Sequence, residues 1–287
     1  MFQVRKPFIC QLHYLNMKRF EKILQNIKDI KIQGARAIAL AGMQAFLLDP
    51  SEESAKQIFA TRPTEPLMQN SINFLLKSKN PRIAYKKIIS YIKISDDKIV
   101  KYGSSLIKNN VNVFTHCHSS TVINILKKAK KQKKNFVVYN TETDPLLQGR
   151  QTAKELAKAG IKVIHLPDSA AEYSLRKCDL FLFGSDAFTD RGPVNKIGTS
   201  LYAKFASLYK IPSYSCGISL KYSNHVKLEF RSGREVWDER EKNIYVLNPA
   251  FDLVEKKFIH RVVSEFGTLS YDKFIKKKTF RKWLNYK

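Results

Sequence analysis

Two textures of apolar spacing divide the chain. From about residue 15 to 95, apolar positions recur at three- and four-residue intervals, the spacing of one helix face. Phe20, Ile23, Leu24, Ile27 and Ile30 fall together in FEKILQNIKDI. ARAIALAGMQAFLL, LMQNSINFLLKS and YKKIISYIKI continue the period, and ATRPTEP (60–66) predicts a loop with a helix start behind it. From about residue 111 short apolar runs take over: NVFTHC (112–117), NFVVYNTE (135–142), IKVIHLPD (161–168), CDLFLFGSD (178–186), IPSYSCG (211–217) and NIYVLNP (243–249). These predict buried strands. Between them SSTVINILKKAKK, GRQTAKELAKAG, AAEYSLRK and TSLYAKFASLYK predict crossover helices.

Strands and helices alternating in this way predict a parallel sheet covered on both faces. The expected fold class is α/β: a helical N-terminal domain over 1–105, then a doubly wound, mostly parallel, Rossmann-like catalytic or ligand-binding domain over 106–287. In such sheets ligands bind beyond the carboxyl ends of the strands. After the first strand comes Thr115-His116-Cys117-His118-Ser119-Ser120, running into a helix. A cysteine facing a helix N-terminus has its thiolate favoured by the dipole, and Ser119, Ser120 and Thr121 offer N–H and hydroxyl groups to a phosphate. The second strand leads to Thr141-Glu142-Thr143-Asp144-Pro145 and Gln148-Gly149-Arg150, the fourth to Gly184-Ser185-Asp186. Asn195-Lys196-Ile197-Gly198-Thr199 is expected to open the next helix, with an amide and an ammonium near the same crevice.

Each of these residues also has a plainer reading. Cys10, Cys178 and Cys216 read as packing, the commoner fate of a lone cysteine. His116 and His118 flank Cys117 on one predicted face, but no third ligand has a supporting spacing and no metal is expected. Asp186 or Asn195 would serve as a cap, and Lys196 as a surface charge. The convergence of thiol, carboxylate, lysine and helix starts at one sheet edge favours a small phosphorylated ligand and proton-transfer chemistry.

Composition narrows the class. Of 287 residues, 44% are hydrophobic and 26% charged, which excludes global disorder. No apolar run is long enough to span a bilayer, and MFQVRKPFIC lacks a signal-peptide core. Four cysteines without C-x-x-C spacing indicate neither a disulfide framework nor a zinc ribbon, so a reduced, cytoplasmic protein is expected. Lys and Arg number 51 against 25 acids, a net charge of +26 that raises nucleic acid as a partner. The excess peaks at KKAKKQKK (127–134) and KFIKKKTFRKWLNYK (273–287) without any RNA-binding signature, so solvated helix surfaces are the first reading.

THCHSS, TETDPLLQGRQTAKEL, GSDAF and NKIGTS together resemble one protein family. It comprises methylthioribose-1-phosphate isomerases, archaeal ribose-1,5-bisphosphate isomerases and the alpha, beta and delta subunits of translation initiation factor 2B. QGARAIALA (33–41) echoes the family's Arg-Gly-Ala loop, ATRPT (60–64) its Arg-Pro-Thr element, and VKLEFRSGREVW and YVLNPAFDLV look most like the archaeal bisphosphate isomerases. The resemblance implies an aldose-to-ketose isomerisation of ribose 1,5-bisphosphate, in nucleotide metabolism, without metal or organic cofactor. It implies that Cys117 moves a proton at the sugar carbon and Asp186 acts as the acid at oxygen. Gly34, Ala35, Arg36, Arg62, Ser119, Ser120, Thr121, Asn195, Lys196 and Lys221 would line the substrate site, with Gln148 beside them. It further implies a homodimer or homohexamer.

The chain departs from that pattern in several places. Gln33 and Asp144 stand where the family has arginine, and His118 where it has asparagine. Arg36 compensates for Gln33 only if the helix start presents it inward. The segment between Asp186 and Asn195 is one residue shorter than expected. Two classes therefore stay open: a phosphopentose isomerase, and a non-catalytic subunit that binds a phosphosugar or nucleotide and docks on initiation factor 2 or RNA.

Overall fold

The computed structural model describes residues 6–239 and 241–277 and divides the chain into two compact units, one up to Tyr91 and one from Ile92. The first is helical: α1 (Lys6–Lys28), α2 (Ala35–Phe46), α3 (Glu52–Thr61), α4 (Pro66–Leu76) and the start of α5 (Pro81–Leu106). Local chemistry sets the boundaries. Ser51 caps α3 by accepting the Ser54 N–H at 3.1 Å, with Glu52 and Glu53 in the positive first turn. Pro66 opens α4, where its missing N–H costs nothing. The core here is Ile38, Met43, Phe46, Ile58, Met68 and Ile72, all buried. Gly42 lets α2 approach α4 closely, since a Cβ there would lie 2.9 Å from the Met68 side chain.

The second unit carries a seven-stranded sheet. Along the chain run β1 (Val111–Thr115), α6 (Ser120–Lys131), β2 (Phe136–Thr141), α7 (Gln148–Lys158), β3 (Lys162–Leu166), α8 (Ala171–Leu175) and β4 (Leu180–Gly184). Then come β5 (Ala187–Phe188), β6 (Pro193–Lys196), α9 (Thr199–Leu208), β7 (Ser213–Cys216), β8 (Phe251–Leu253), β9 (Arg261–Ser264), β10 (Gly267–Leu269) and α10 (Tyr271–Ile275). The strand order is β10-β9-β7-β4-β1-β2-β3, parallel except for the β9–β10 hairpin. Phe114, Phe181 and Phe183 are fully buried in its centre, each contributing about 2–3 kcal/mol of apolar burial. The α/β class, the helical N-terminal region and the largely parallel sheet are as the sequence predicts. No helix among the described residues is long and apolar enough to cross a membrane.

Two expectations need correction. Residues 243–249 form no strand. Tyr245 and Leu247 are 91% and 76% exposed. Among the described residues the pairing here is a Phe230–Pro249 bridge at the far end of the run, flanked by the Arg231–Asn248 and Ala250–Glu229 backbone bonds. An apolar run without a partner edge has nothing to ladder with. Second, Asn195 and Lys196 do not open a helix. They end β6, the middle strand of a separate antiparallel sheet ordered β5-β6-β8, and α9 starts only at Thr199. The lysine run 127–134 is, as its first reading had it, a solvated helix end: the last turn of α6 and its exit, where cations suit the helix dipole. Most of the basic tail at 273–287 lies outside the described residues.

Candidate functional site at the carboxyl edge of the sheet

Strand β1 ends at Thr115, and two residues later the backbone turns left-handed at Cys117, φ 67°. Cysteine has no intrinsic liking for that region, so neighbours must hold it there. The Cys117 N–H donates to Thr143 Oγ1 at 3.0 Å, and its carbonyl accepts the Thr152 hydroxyl at 2.9 Å. Thr143 is itself left-handed, φ 65°, and donates its N–H to Asp168 Oδ1 at 3.0 Å. Asp168, just past β3, also accepts the Asp144 N–H at 2.7 Å. Burial works against the Asp168 charge, but these N–H groups and Thr141 keep its carboxyl below the usual range.

His116 is buried beneath this turn. Its Nε2–H donates to the Ile197 carbonyl at 2.9 Å, so Nδ1 accepts the Thr141 hydroxyl at 2.8 Å. Burial lowers its pKa to about 4, outweighing Asp168, and the ring stays neutral. His118 turns elsewhere, to Thr152 Oγ1 at 3.2 Å. The two imidazoles therefore do not share a face, because the left-handed residue between them breaks strand alternation. Their predicted pairing is corrected.

The β4 end and the small sheet supply the other groups. Gly184 lies against Ser119, the N-cap of α6: a Cβ there would come 2.7 Å from Ser119 Cβ. Asp186 follows, half-buried. The Asn195 amide, in the orientation that satisfies both of its ends, donates to the Gly184 carbonyl at 3.0 Å and to Asp186 Oδ2 at 3.2 Å, and accepts the Thr199 hydroxyl at 2.9 Å. Lys196 is 3% exposed, and no described residue gives its ammonium a hydrogen bond or ion pair. Burial lowers its pKa and Arg231 adds to this, while Cys117 (once ionised), Glu235 and Asp186 work the other way. Lys221 donates to the Ser185 carbonyl from a short turn that Glu265 anchors at the Ser219 N–H.

Burial, together with the Asp186 charge, pushes the Cys117 thiol up to about 12, against the pull of Lys196. The expected thiolate is thus not favoured at rest. Ser119 spends its hydroxyl on capping α6, and Ser120 and Thr121 occupy the first turn, Ser120 exposed. The α9 N-terminus offers no open anion cradle, since Asp252 already accepts the Gly198 N–H at 2.9 Å and the Ser200 N–H at 3.1 Å. Gln148, at the start of α7, has a buried amide oxygen without a hydrogen-bond partner. Arg150 pairs with Glu142 at 2.6 Å and is about half exposed.

Cys117, Asp186, Asn195, Lys196, Lys221, Ser119 and Gln148 thus all stand at carboxyl ends of strands or in the loops, turns and helix starts that follow. Gly34, Ala35, Arg36 and Arg62 belong to the first unit. There Gly34 (φ 82°) precedes α2, Ala35 and Arg36 begin it with Arg36 exposed, and Arg62 follows α3 with Nη2 3.7 Å from Glu65 Oε1. Sequence reasoning missed Thr143, Thr152, Asp168 and the Arg231–Glu235 pair (2.8 Å), whose charges reach Lys196. The TETDP and LPD strand ends carried a signal for the first group. Nothing in the spacing linked 231–235 to Lys196.

Fold and geometry together define a doubly wound α/β protein with a thiol, a carboxylate and a buried ammonium, without an ion-pair partner among the described residues, at the carboxyl edge of its sheet. The chain belongs to the initiation factor 2 subunit family, whose model matches residues 31–271. It is 31% identical to a ribose 1,5-bisphosphate isomerase of Thermococcus kodakarensis, over 88% of this chain and 91% of that one. It is 28% identical to a methylthioribose-1-phosphate isomerase of Thermosipho africanus, over 92% and 91%. A crystal structure of the Pyrococcus horikoshii translation initiation factor eIF-2B is similar with a TM-score of 0.80 and 26% identity, covering 88% of this chain and 97% of that one.

Proposed function

We propose that this protein is an aldose-ketose isomerase of a phosphorylated pentose, acting on ribose 1,5-bisphosphate to give ribulose 1,5-bisphosphate. The observation that carries the reading is the buried Lys196 ammonium, which has no hydrogen-bond or ion-pair partner among the described residues and lies within electrostatic reach of Cys117 and Asp186. A lone buried cation is costly unless an anion completes it, and a substrate phosphate does so. Lys221 adds a second cation on the same side.

Because the thiol pKa is raised, the resting site carries its proton on sulfur. Cys117 must give that proton up, with Asp186 as the acceptor, before the sulfur can take hydrogen from carbon. That exchange yields the pair the reaction needs: a thiolate base at the sugar carbon and a carboxylic acid at oxygen. The acid protonates the ring oxygen as the C1–O bond opens. Hydrogen then passes from C2 to C1 through the sulfur, and the C2 hydroxyl loses its proton to the carboxylate as the ketone forms. No atom is gained or lost overall. Lys196 offsets the negative charge that builds up.

Incubation with ribose 1,5-bisphosphate, followed by carbon-13 NMR of the C2 ketone, tests this. Turnover that disappears in Cys117→Ser is expected. Absent turnover, or full turnover in the variant, overturns it. The second reading, a non-catalytic subunit that binds a phosphosugar or nucleotide and docks on initiation factor 2, is favoured by Gln33 and Asp144, both exposed where the family carries arginine. It predicts salt-resistant co-purification with initiation factor 2 and no ketose. We further propose self-association through the segment carrying Phe230, Trp237, Tyr245 and Leu247. These are 68%, 44%, 91% and 76% exposed, in a stretch (227–247) whose five basic and five acidic residues balance on an otherwise basic chain. Light scattering is expected to show a dimer or hexamer, and a monomer at all concentrations excludes this.

A further inference from the structure

At the opposite, amino-terminal edge of the same sheet lies a cleft of about 560 Å³ between the end of α9, the start of β7 and the turn before β9. Its chemistry comes from Lys210, Ser213, Tyr214, Lys257, Phe258 and His260. Ser213 is 2% exposed, and its hydroxyl is buried without a hydrogen-bond partner. Such a group costs stability unless something completes it. Its backbone is well used, for its carbonyl accepts the His260 N–H at 2.9 Å, so only the hydroxyl is left over. The Lys210 ammonium has no hydrogen-bond or ion-pair partner among the described residues. Lys257 lies 4.9 Å over the Phe258 ring and 2.8 Å from Glu255. Glu255 also feels Lys204 and Arg191. Tyr214 and His260 meet edge to face with centroids 5.4 Å apart and form a wall of polar-tipped rings.

We propose that this cleft is a second binding site, for a small phosphate-bearing anion, separate from the Cys117 edge. The unpartnered Lys210 ammonium, the Lys257 ammonium that Glu255 already holds at 2.8 Å and an unsatisfied hydroxyl suit phosphate oxygens, which accept several hydrogen bonds at once. The volume lies within the range of small-molecule sites, roughly 300–1,000 Å³, and exceeds what inorganic phosphate alone fills. The phosphate is therefore carried on a small organic body that rests on Tyr214 and Phe258.

Amide NMR titrations of the full chain with inorganic phosphate, glycerol 3-phosphate and uridine 5′-monophosphate, at physiological salt, test the site. Saturable shifts are expected at Ser213, Tyr214 and His260, tighter for an organic phosphate than for phosphate itself. The better of the two organic probes tells a sugar-sized body from a nucleotide. Lys210→Gly removes the ammonium at a left-handed position (φ 57°) that glycine accepts, and should weaken binding at least tenfold. Ser213→Ala should weaken binding while raising the melting temperature, a split that a merely structural hydroxyl would not give. Lys196→Met should leave these shifts unchanged, so the result is independent of the isomerase reading. Shifts scattered over surface lysines, loss of binding at physiological salt, or full binding in Lys210→Gly overturns the proposal.

Discussion

The two edges of the parallel sheet use the same uncommon backbone conformation for different ends. At the amino-terminal edge, Lys133, Gly160 and Lys210 are left-handed, φ 63°, 73° and 57°. Each stops a helix: the following N–H closes onto a carbonyl five residues back, Lys134 to Ala129, Ile161 to Leu156 and Ile211 to Ala206. At the carboxyl edge Cys117, Thr143 and Leu147 are left-handed with no helix to stop. Two of them are fixed from other strands, Cys117 through the Thr143 hydroxyl and Thr143 through Asp168. A positive φ alone therefore marks nothing. The origin of the bonds that hold it separates a helix cap from a built site, where strain of about 1–3 kcal/mol per residue is sustained by surrounding structure.

The strongest way to break this comparison is at Cys117. Cys117→Ser should lower kcat of the proposed isomerisation about 10³-fold, within the usual worth of an acid–base group, with little change in melting temperature. Cys117→Gly should also abolish turnover yet relax the backbone. Because the Cys117 proton passes to Asp186 inside the site, the thiolate–acid pair has the same proton count as the resting thiol–carboxylate pair. With the thiol raised to about 12, log kcat/KM should therefore stay flat from pH 6 to 9. A slope near one would show that the thiol proton leaves to solvent and that Asp186 is not its acceptor.

Lys196→Met comes next. Loss of the ammonium should weaken substrate binding roughly 100-fold, about 3 kcal/mol. Removing an uncompensated buried charge should at the same time stabilise the free protein by about 1–3 kcal/mol. Substrate titration and thermal melts of the same preparation read both signs. A variant that loses both stability and affinity would make Lys196 structural.

The sequence carried the parallel sheet, because β1, β2, β3, β4 and β7 are apolar runs long enough to stand out. It did not carry β5, β6, β8, β9 and β10, which are two to four residues long and in β6 hold Asn195 and Lys196 as strand residues. Polar residues in a short strand read as a loop or a cap, and only the pairing of Lys196 with Phe251 shows otherwise. Asp186 and Cys117 were legible as chemistry at strand ends. The electrostatics were not, since the thiol is raised by burial and by a carboxylate that no local spacing connects to it. Asp252 capping α9 from 52 residues away is illegible for the same reason. A contact made only by tertiary folding leaves no periodic trace.

His116 supplies a smaller effect. Its folded pKa of about 4 lies below the ordinary 6.5, so the unfolded chain binds more protons between these values and stability rises with pH there by about 3 kcal/mol. Asp252 runs the other way. Burial raises it from 3.8 to about 6, the folded state holds the extra proton, and stability falls as pH rises across that window. The two nearly cancel between pH 4 and 6. His116→Asn leaves Asp252 unopposed, so the variant's stability should fall by about 3 kcal/mol from pH 4 to 6 while the native protein stays nearly level. Urea melts at half-unit pH steps would show it. Parallel curves for the two proteins would mean that His116 does not titrate as its burial implies.

The smallest effect sharpens the comparison from the amino-terminal edge. Lys133 is exposed, ends α6 in the left-handed region and contributes no side-chain bond among the described residues. Glycine adopts that φ without the clash between Cβ and carbonyl, a relief of roughly 1–2 kcal/mol. The substitution also frees the unfolded chain, which takes back about half of the gain. Lys133→Gly should therefore stabilise by about 0.5–1 kcal/mol, a rise of about 2 °C in melting temperature for a chain of this size, with turnover unaltered. Cys117→Gly should give a similar rise with turnover lost. If instead both variants melt alike and keep activity, or Lys133→Gly melts lower, then the left-handed turns at the two edges do the same work and their distinction by hydrogen-bond origin fails.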